Sequence, residues 1–213
     1  MSTPATHPAT SAPRAAKRHA PEVRRALIVA AAQEVIVEIG FPGTSARLIA
    51  ARCGISLGTL TYHFASVDAL LIEALRDASV RLTDEITLAV DAVDGAVNKL
   101  QRIAEDALPT SLFAKRNWRL WLEYWARAAH SPDLAALHSE RYEAWRGLVL
   151  RTIIDGVTSG ELVVPNPAAS AIQFVALQDG LGLQLAIGDS SVSVESARAI
   201  LSSAIDQFIA PEL

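Results

Sequence analysis

At 213 residues, 51% of them hydrophobic and 20% charged, the chain can hold a small domain beside a larger one, each with its own core. Its single cysteine, Cys53, excludes an intramolecular disulfide and a multi-cysteine metal site, and a net charge of −4 looks wrong, taken whole, for a nucleic-acid binder. No apolar run approaches the ~20 residues of a bilayer span and no secretory pattern opens the chain, so a cytoplasmic protein without membrane attachment is expected.

Residues 1–20 are rich in Ala, Pro, Ser and Thr and lack apolar periodicity, the composition of a disordered arm. Arg14, Lys17 and Arg18 near its end either reach into a DNA minor groove or belong to a solvated tail. A helix follows with Ile28, Ala31, Ala32, Val35 and Ile36 on one stripe.

Ser45 is placed to cap the next helix, and Ala46, Ile49, Ala50 and Cys53 recur at i, i+3, i+4 and i+7. Arg47 and Arg52 fall off that stripe. Gly54 stands where a helix end needs positive φ, and Ser56 can cap a second short helix whose inner face is Leu60 and Phe64. This is a helix-turn-helix pattern over residues 21–65, the unit that lays its second helix in the major groove. Leu57, Gly58, Thr59, Thr61, Tyr62 and His63 are left outward. Gly58 allows close backbone approach, and Thr59 and Thr61 offer hydroxyls and methyls to base edges. Tyr62 and His63 suit phosphate contacts that fix register, solvent or phosphate can reach Arg47, and the capping residues Ser45 and Ser56 are counted with them as DNA-binding candidates. Cys53 is read as a packing residue, with a redox switch as the alternative.

Splitting the charge resolves the objection to DNA. Through Ala65 there are seven basic residues against three acidic, a net of +4; the remainder has twelve against twenty, a net of −8. A basic head can meet DNA while an acidic body stays clear.

Residues 66–213 read as six more helices and no strand, giving an all-α chain of about nine helices. The first runs from about Val67 to Val90, capped by Ser66. Asp94 is placed to cap the next, to about Leu108. Others span about Leu112–Ala129, from Ser131-Pro132 to about Thr158, from Asn166-Pro167 to about Ile187, and Val194–Ile209. Trp118, Trp121 and Trp125 fall at i, i+3 and i+7, with Tyr124 beside them and Tyr142 and Trp145 on the following helix. With Phe174 and Gln178 they line a candidate ligand pocket or form a packed core; ring faces attract cations. Glu123 and Asp179 are further polar candidates. Ala171, Phe174, Val175, Gln178, Leu181 and Leu185 share one helix face, with Gly180 and Gly182 permitting close approach, and the last helix has a broad apolar face. Leu181, Leu185, Ile200, Leu201, Ala204 and Phe208 are therefore candidates for a homodimeric four-helix bundle.

The run Gly40-x-x-x-Thr44-Ser45-x-Arg47-x-Ile49-Ala50, then Cys53-Gly54-Ile55-Ser56-x-Gly58-x-Leu60 and Tyr62-His63-Phe64, resembles the TetR family of transcriptional regulators. Two positions depart from the family pattern: Val67 replaces a phosphate-clamping lysine, and Thr61 a second aromatic. Trp118 to Arg146 and Asp179-Gly180-Leu181 resemble the carboxy-terminal domain of the BetI-like branch, whose archetype senses choline. The resemblance implies a homodimeric repressor that binds a palindromic double-stranded operator and is released by a small-molecule effector, of a class it does not fix. No cofactor, metal or catalytic residue is expected. An architectural or ligand-insensitive DNA binder is the alternative, and a small-molecule enzyme the competing class, for which the chain offers no GxGxxG, P-loop, GxSxG or HExxH; His130 and His138 lie on different turns.

Overall fold

The computed structural model describes residues 20–208, so the basic arm with Arg14, Lys17 and Arg18 lies outside the described residues. Within them the chain forms nine helices: α1 (Pro21–Gly43), α2 (Ala46–Cys53), α3 (Leu57–His63), α4 (Val67–Asp91), α5 (Ala96–Ala107), α6 (Leu112–Ala128), α7 (Pro132–Ser159), α8 (Pro167–Ile187) and α9 (Val194–Asp206). Most begin where a side-chain oxygen can take an unpaired amide. Ser45, Ser56, Ser66, Ser111, Ser131, Asn166 and Ser193 each accept a hydrogen bond from the amide three residues ahead.

The start of α5 differs from expectation. Asp94 does not cap it; Gly95 takes the cap position at φ 82° and its helix has no capping side chain of its own. Glu161, from the loop after α7, accepts instead from Ala96 N at 2.6 Å and Val97 N at 3.3 Å. A carboxylate at a helix amino end also meets the positive end of the helix dipole. Glu161→Ala is expected to cost about 1 kcal/mol, read as a lowered Tm with no change in helix count.

Two apolar clusters organise the packing. The first collects Ile28, Ala32, Val35 and Ile36 of α1, Ile49 of α2 and Leu60 of α3 with Leu70, Leu71, Ala74 and Leu75 of α4, and with Leu120 and Tyr124 of α6. The second joins α4, α5, α7, α8 and α9 around Leu100, Ile103, Val149, Ile153, Phe174 and Leu201. α4 thus passes from one cluster into the other. α1 is, contrary to the expectation that no segment is so apolar, 23 residues long with a mean hydropathy of 1.5 over its most apolar stretch. Its packing against α2, α4 and α6 accounts for that.

Candidate nucleic-acid interface and buried cavity

Gly54 closes α2 at φ 64°, its amide bonding Ala51 O while that of Ile55 bonds Ala50 O. A Cβ there would meet nothing within 4 Å, so the position demands glycine for its conformation and not for space. The turn presents α3 to solvent: Leu57 is 41% and Tyr62 82% exposed, Gly58 and Thr61 are exposed, and Thr59 and His63 are half-buried. Leu60 and Phe64 point inward as the pattern required. The Thr59 hydroxyl lies 2.9 Å from Ser56 Oγ, so it belongs to the cap, and the Thr61 hydroxyl donates to Gly58 O at 3.2 Å. The faces these two threonines keep for a groove are largely their methyls.

The head's charge is partly consumed inside the protein. Arg52 bridges Glu34 (3.3 Å) and Glu38 (2.5 Å), hydrogen bonds that push its pKa up and Glu38's down. Arg25 pairs with Glu73 of α4 at 2.6 Å and lies 4.7 Å over the Phe64 ring. Arg47 and Ser45 remain at the surface beside α3, Arg47 exposed and Ser45 half-buried. Val67, where a phosphate lysine was expected, is half-buried against the first cluster. Cys53 is also half-buried, and burial raises its thiol pKa, which disfavours the reactive thiolate.

A cavity opens between α4, α5, α6, α7 and α8. About 80 Å³ of it is open to the centres of water-sized molecules, several times the ~10–15 Å³ that one water needs. Trp118, Trp121, Trp125, Tyr142, Trp145 and Gln178 line it. Trp118 and Trp125 meet edge-on at 5.9 Å, and Trp121 stands 6.2 Å from Trp125. Two expected members lie elsewhere. Tyr124 is 1% exposed in the first cluster, its hydroxyl donating to Leu134 O at 2.5 Å, and Phe174 is 2% exposed in the second. Tyr124 faces away because it sits one position off the tryptophan stripe, whereas Phe174 shares the stripe of Gln178 but lies one turn earlier on α8, within the second cluster.

The polar lining is richer than sequence reasoning found. Ser79, Thr83, Asp106, Asn117 and Arg141 join Gln178 and Asp179. The signal was present: Asn117, Trp121 and Trp125 are spaced i, i+4 and i+8, and His138, Arg141, Tyr142 and Trp145 are spaced i, i+3, i+4 and i+7. The Asp179 carboxylate accepts from the Tyr142 hydroxyl at 2.5 Å; burial pushes its pKa up to about 6, partly offset by that bond. His138 packs on Tyr142 at 4.2 Å, and burial lowers its pKa toward the neutral imidazole.

Glu123 is not in the cavity. From α6 it accepts the amide of Phe41 at 2.9 Å, at the kink where Gly40 breaks α1 with φ 72° and ψ 170°. A second tie runs from α1 to α4, where Gln33 donates to Ala74 O and Asp77 (2.8 Å each) and accepts from Arg81.

The dimer candidates need correction. Leu181 and Leu201 are 5% and 1% exposed and are spent on the protomer's own second cluster, which Leu185 and Phe208 also join as half-buried members. Gly182 likewise serves an internal approach, to Trp118. The outward faces of α8 and α9 carry Ile172 (54% exposed), Ile187 (64%) and Ile200 (44%), with Ala204 half-buried and Gly180 open.

Residues 28–74 match the family described as bacterial regulatory proteins, tetR family, and residues 96–210, more than half of the chain, match the BetI-type transcriptional repressor carboxy-terminal family. The HTH-type transcriptional regulator BetI of Stenotrophomonas maltophilia is 27% identical over 193 residues, covering 89% of this chain and 95% of its own length. That of Proteus mirabilis is 27% identical over 187 residues, covering 86% and 90%. A putative transcriptional regulator of Saccharomonospora viridis, solved in complex with choline, superimposes with a TM-score of 0.83 at 28% identity, over 90% of this chain and all of that one.

Proposed function

The chain belongs to the TetR family of bacterial regulatory proteins, with a BetI-type carboxy-terminal domain, and from that membership we propose the way this DNA-binding transcriptional regulator works. It acts in the cytoplasm as a homodimeric repressor on a two-fold operator and leaves it when a small organic cation fills the aromatic cavity. Residues 21–65 are the DNA-binding part and residues 66–213 the effector-binding and dimerisation part. Leu57, Gly58, Thr59 and Thr61 meet base edges, while Ser45, Arg47, Ser56, Tyr62 and His63 hold phosphates.

The observation that carries the reading is the course of α4. Its amino-terminal half packs Leu70, Leu71, Ala74 and Leu75 beside α1, and one turn further on it gives Ser79, Leu82, Thr83 and Ile86 to the cavity wall. Anything that fixes the cavity's shape therefore biases the angle of the head. A ligand can shift DNA affinity only by its differential affinity for the two arrangements, typically about 1–3 kcal/mol. Four tryptophans and Tyr142 supply ring faces for an ammonium group, and Asp179 supplies the counter-charge.

Two outcomes test this reading. Ile200→Glu, on the outward face of α9, is expected to yield a monomer by light scattering and to weaken operator binding at least about tenfold; a dimer of unchanged affinity would place the interface elsewhere. The pH response of effector binding has a fixed sign. A permanent cation needs ionised Asp179, so its affinity should rise with pH through about 6 and level off above, and Asp179→Asn should flatten the profile. Stability runs the other way. Between the ordinary aspartate pKa of 3.8 and about 6 the folded chain holds a proton that the unfolded chain has released, so Asp179 lowers stability as pH rises through that window.

A further inference from the structure

Two opposite charges face the same cavity, and neither forms an ion pair among the described residues. Arg141 of α7 spends Nη2 on the Ser79 carbonyl and on Thr83 Oγ1, both at 2.6 Å, and both on α4. Its Nε is buried and has no acceptor. No carboxylate stands within ion-pair distance of it among the described residues. Asn117 Nδ2, on α6, is a second buried donor without an acceptor. Across on α8, Asp179 has only the Tyr142 hydroxyl, and the buried Gln178 Oε1 has no donor. The remaining charged lining group, Asp106, is answered by Arg102 at 2.5 Å.

Half-buried charges without an ion pair and buried donors without an acceptor cost free energy until a ligand, ion or water completes them. We propose that the effector is a zwitterion: an organic ammonium held by the tryptophan faces and Asp179, carrying a carboxylate that pairs with Arg141 and takes the Asn117 amide. An amino alcohol would satisfy the ammonium end alone. Its hydroxyl is a neutral acceptor on a single oxygen and gives the guanidinium no ion-pair partner, whereas a carboxylate offers a charge and two oxygens to the Arg141 and Asn117 donors together. Burial lowers the pKa of Arg141, and the more distant carboxylates of Glu140 and Asp84 offset this only in part. This inference rests on the cavity being the effector site.

The experiment is calorimetry on the full-length protein with two matched series. One is choline and its longer trimethylammonium alcohols; the other is glycine betaine and longer trimethylammonium carboxylates such as γ-butyrobetaine. At the best spacing the carboxylate is expected to bind at least about tenfold tighter than the alcohol of equal length, because only it neutralises Arg141. In Arg141→Gln that ratio should collapse toward one, whereas Asp179→Asn should weaken both series together. The wild-type comparison stands on its own should either variant fail to fold. Alcohols that bind as tightly as every carboxylate would overturn the zwitterion while leaving a cation effector in place, and a preference surviving Arg141→Gln would overturn the role given to Arg141. If neither series binds the wild-type protein, the effector reading falls, and the zwitterion with it.

Discussion

Gly182→Ala is expected to abolish the response to effector while leaving operator affinity within a few-fold of wild type. A Cβ at this position of α8 would lie 2.0 Å from Trp118 Cζ2 and 2.4 Å from Cη2. The indole cannot simply retreat, because its Nε1 donates to Ala107 O at 2.8 Å and its far side faces the cavity. Either the ring swings into the space the effector needs or α8 moves off α6. Overpacking of this kind costs about 1–3 kcal/mol. Thermal unfolding and tryptophan fluorescence would register it, and an effector titration would read the lost binding. Gly180→Ala is the control: a Cβ there meets nothing within 4 Å in the protomer, so stability should be unchanged or slightly raised. Equal effector affinity in Gly182→Ala and wild type would mean that Trp118 is not part of the binding wall.

Gly40→Ala should act on the head instead. Its backbone, at φ 72° and ψ 170°, occupies a region that only glycine visits without strain, of order 1–3 kcal/mol for another residue. The added Cβ would also meet Glu123 Oε1 at 2.9 Å, the carboxylate that holds the Phe41 amide. Relief of both requires the α1–α2 junction to shift, and α2 positions α3. The expected result is a destabilisation of about 2 kcal/mol with operator affinity reduced at least tenfold. Glu123→Gln keeps the shape and removes the charge, so it should retain most of the stability. Unchanged melting and DNA binding in Gly40→Ala would show that this junction does not set the head's geometry.

The head was legible in the sequence because its determinants are local. Ser45, Gly54 and Ser56 act on amides within a few residues, and the spacing of Ile49, Ala50, Leu60 and Phe64 fixes which face is buried. What escaped there was long-range: Arg52 is drawn to Glu34 and Glu38 on a different helix, so it contributes less to DNA than a charge count suggests. Helical spacing put Trp118, Trp121 and Trp125 on one face of α6 but left a pocket and a packed core as alternatives. Tyr124 was misplaced because one position off the tryptophan stripe faces another core, and Phe174 because one turn along its own stripe leaves the cavity for the second cluster; spacing cannot say which core is filled and which is hollow. Arg141 was missed, although it shares a stripe with Tyr142 and Trp145, because a guanidinium within Ser139-Glu140-Arg141-Tyr142-Glu143 reads as solvated surface; its partial burial comes from α7 lying against α4. α8 is apolar on both faces, and no wheel distinguishes the face that meets α6 from one that meets a second subunit. Leu181 and Leu201 were assigned outward for that reason. Asp94 lost its capping role to Glu161, 65 residues away from the Ala96 amide it takes.

The central claim is that filling the cavity weakens DNA binding by a dimer. The most direct test is fluorescence anisotropy with a labelled palindromic operator, recovered by selection from random DNA, titrated with wild-type protein in the presence and absence of saturating glycine betaine or choline. Calorimetry on the same sample verifies occupancy of the cavity. The account predicts an apparent Kd raised about 5–150-fold when the cavity is filled, the range of typical coupling energies. An operator Kd that does not change with the ligand bound would contradict it.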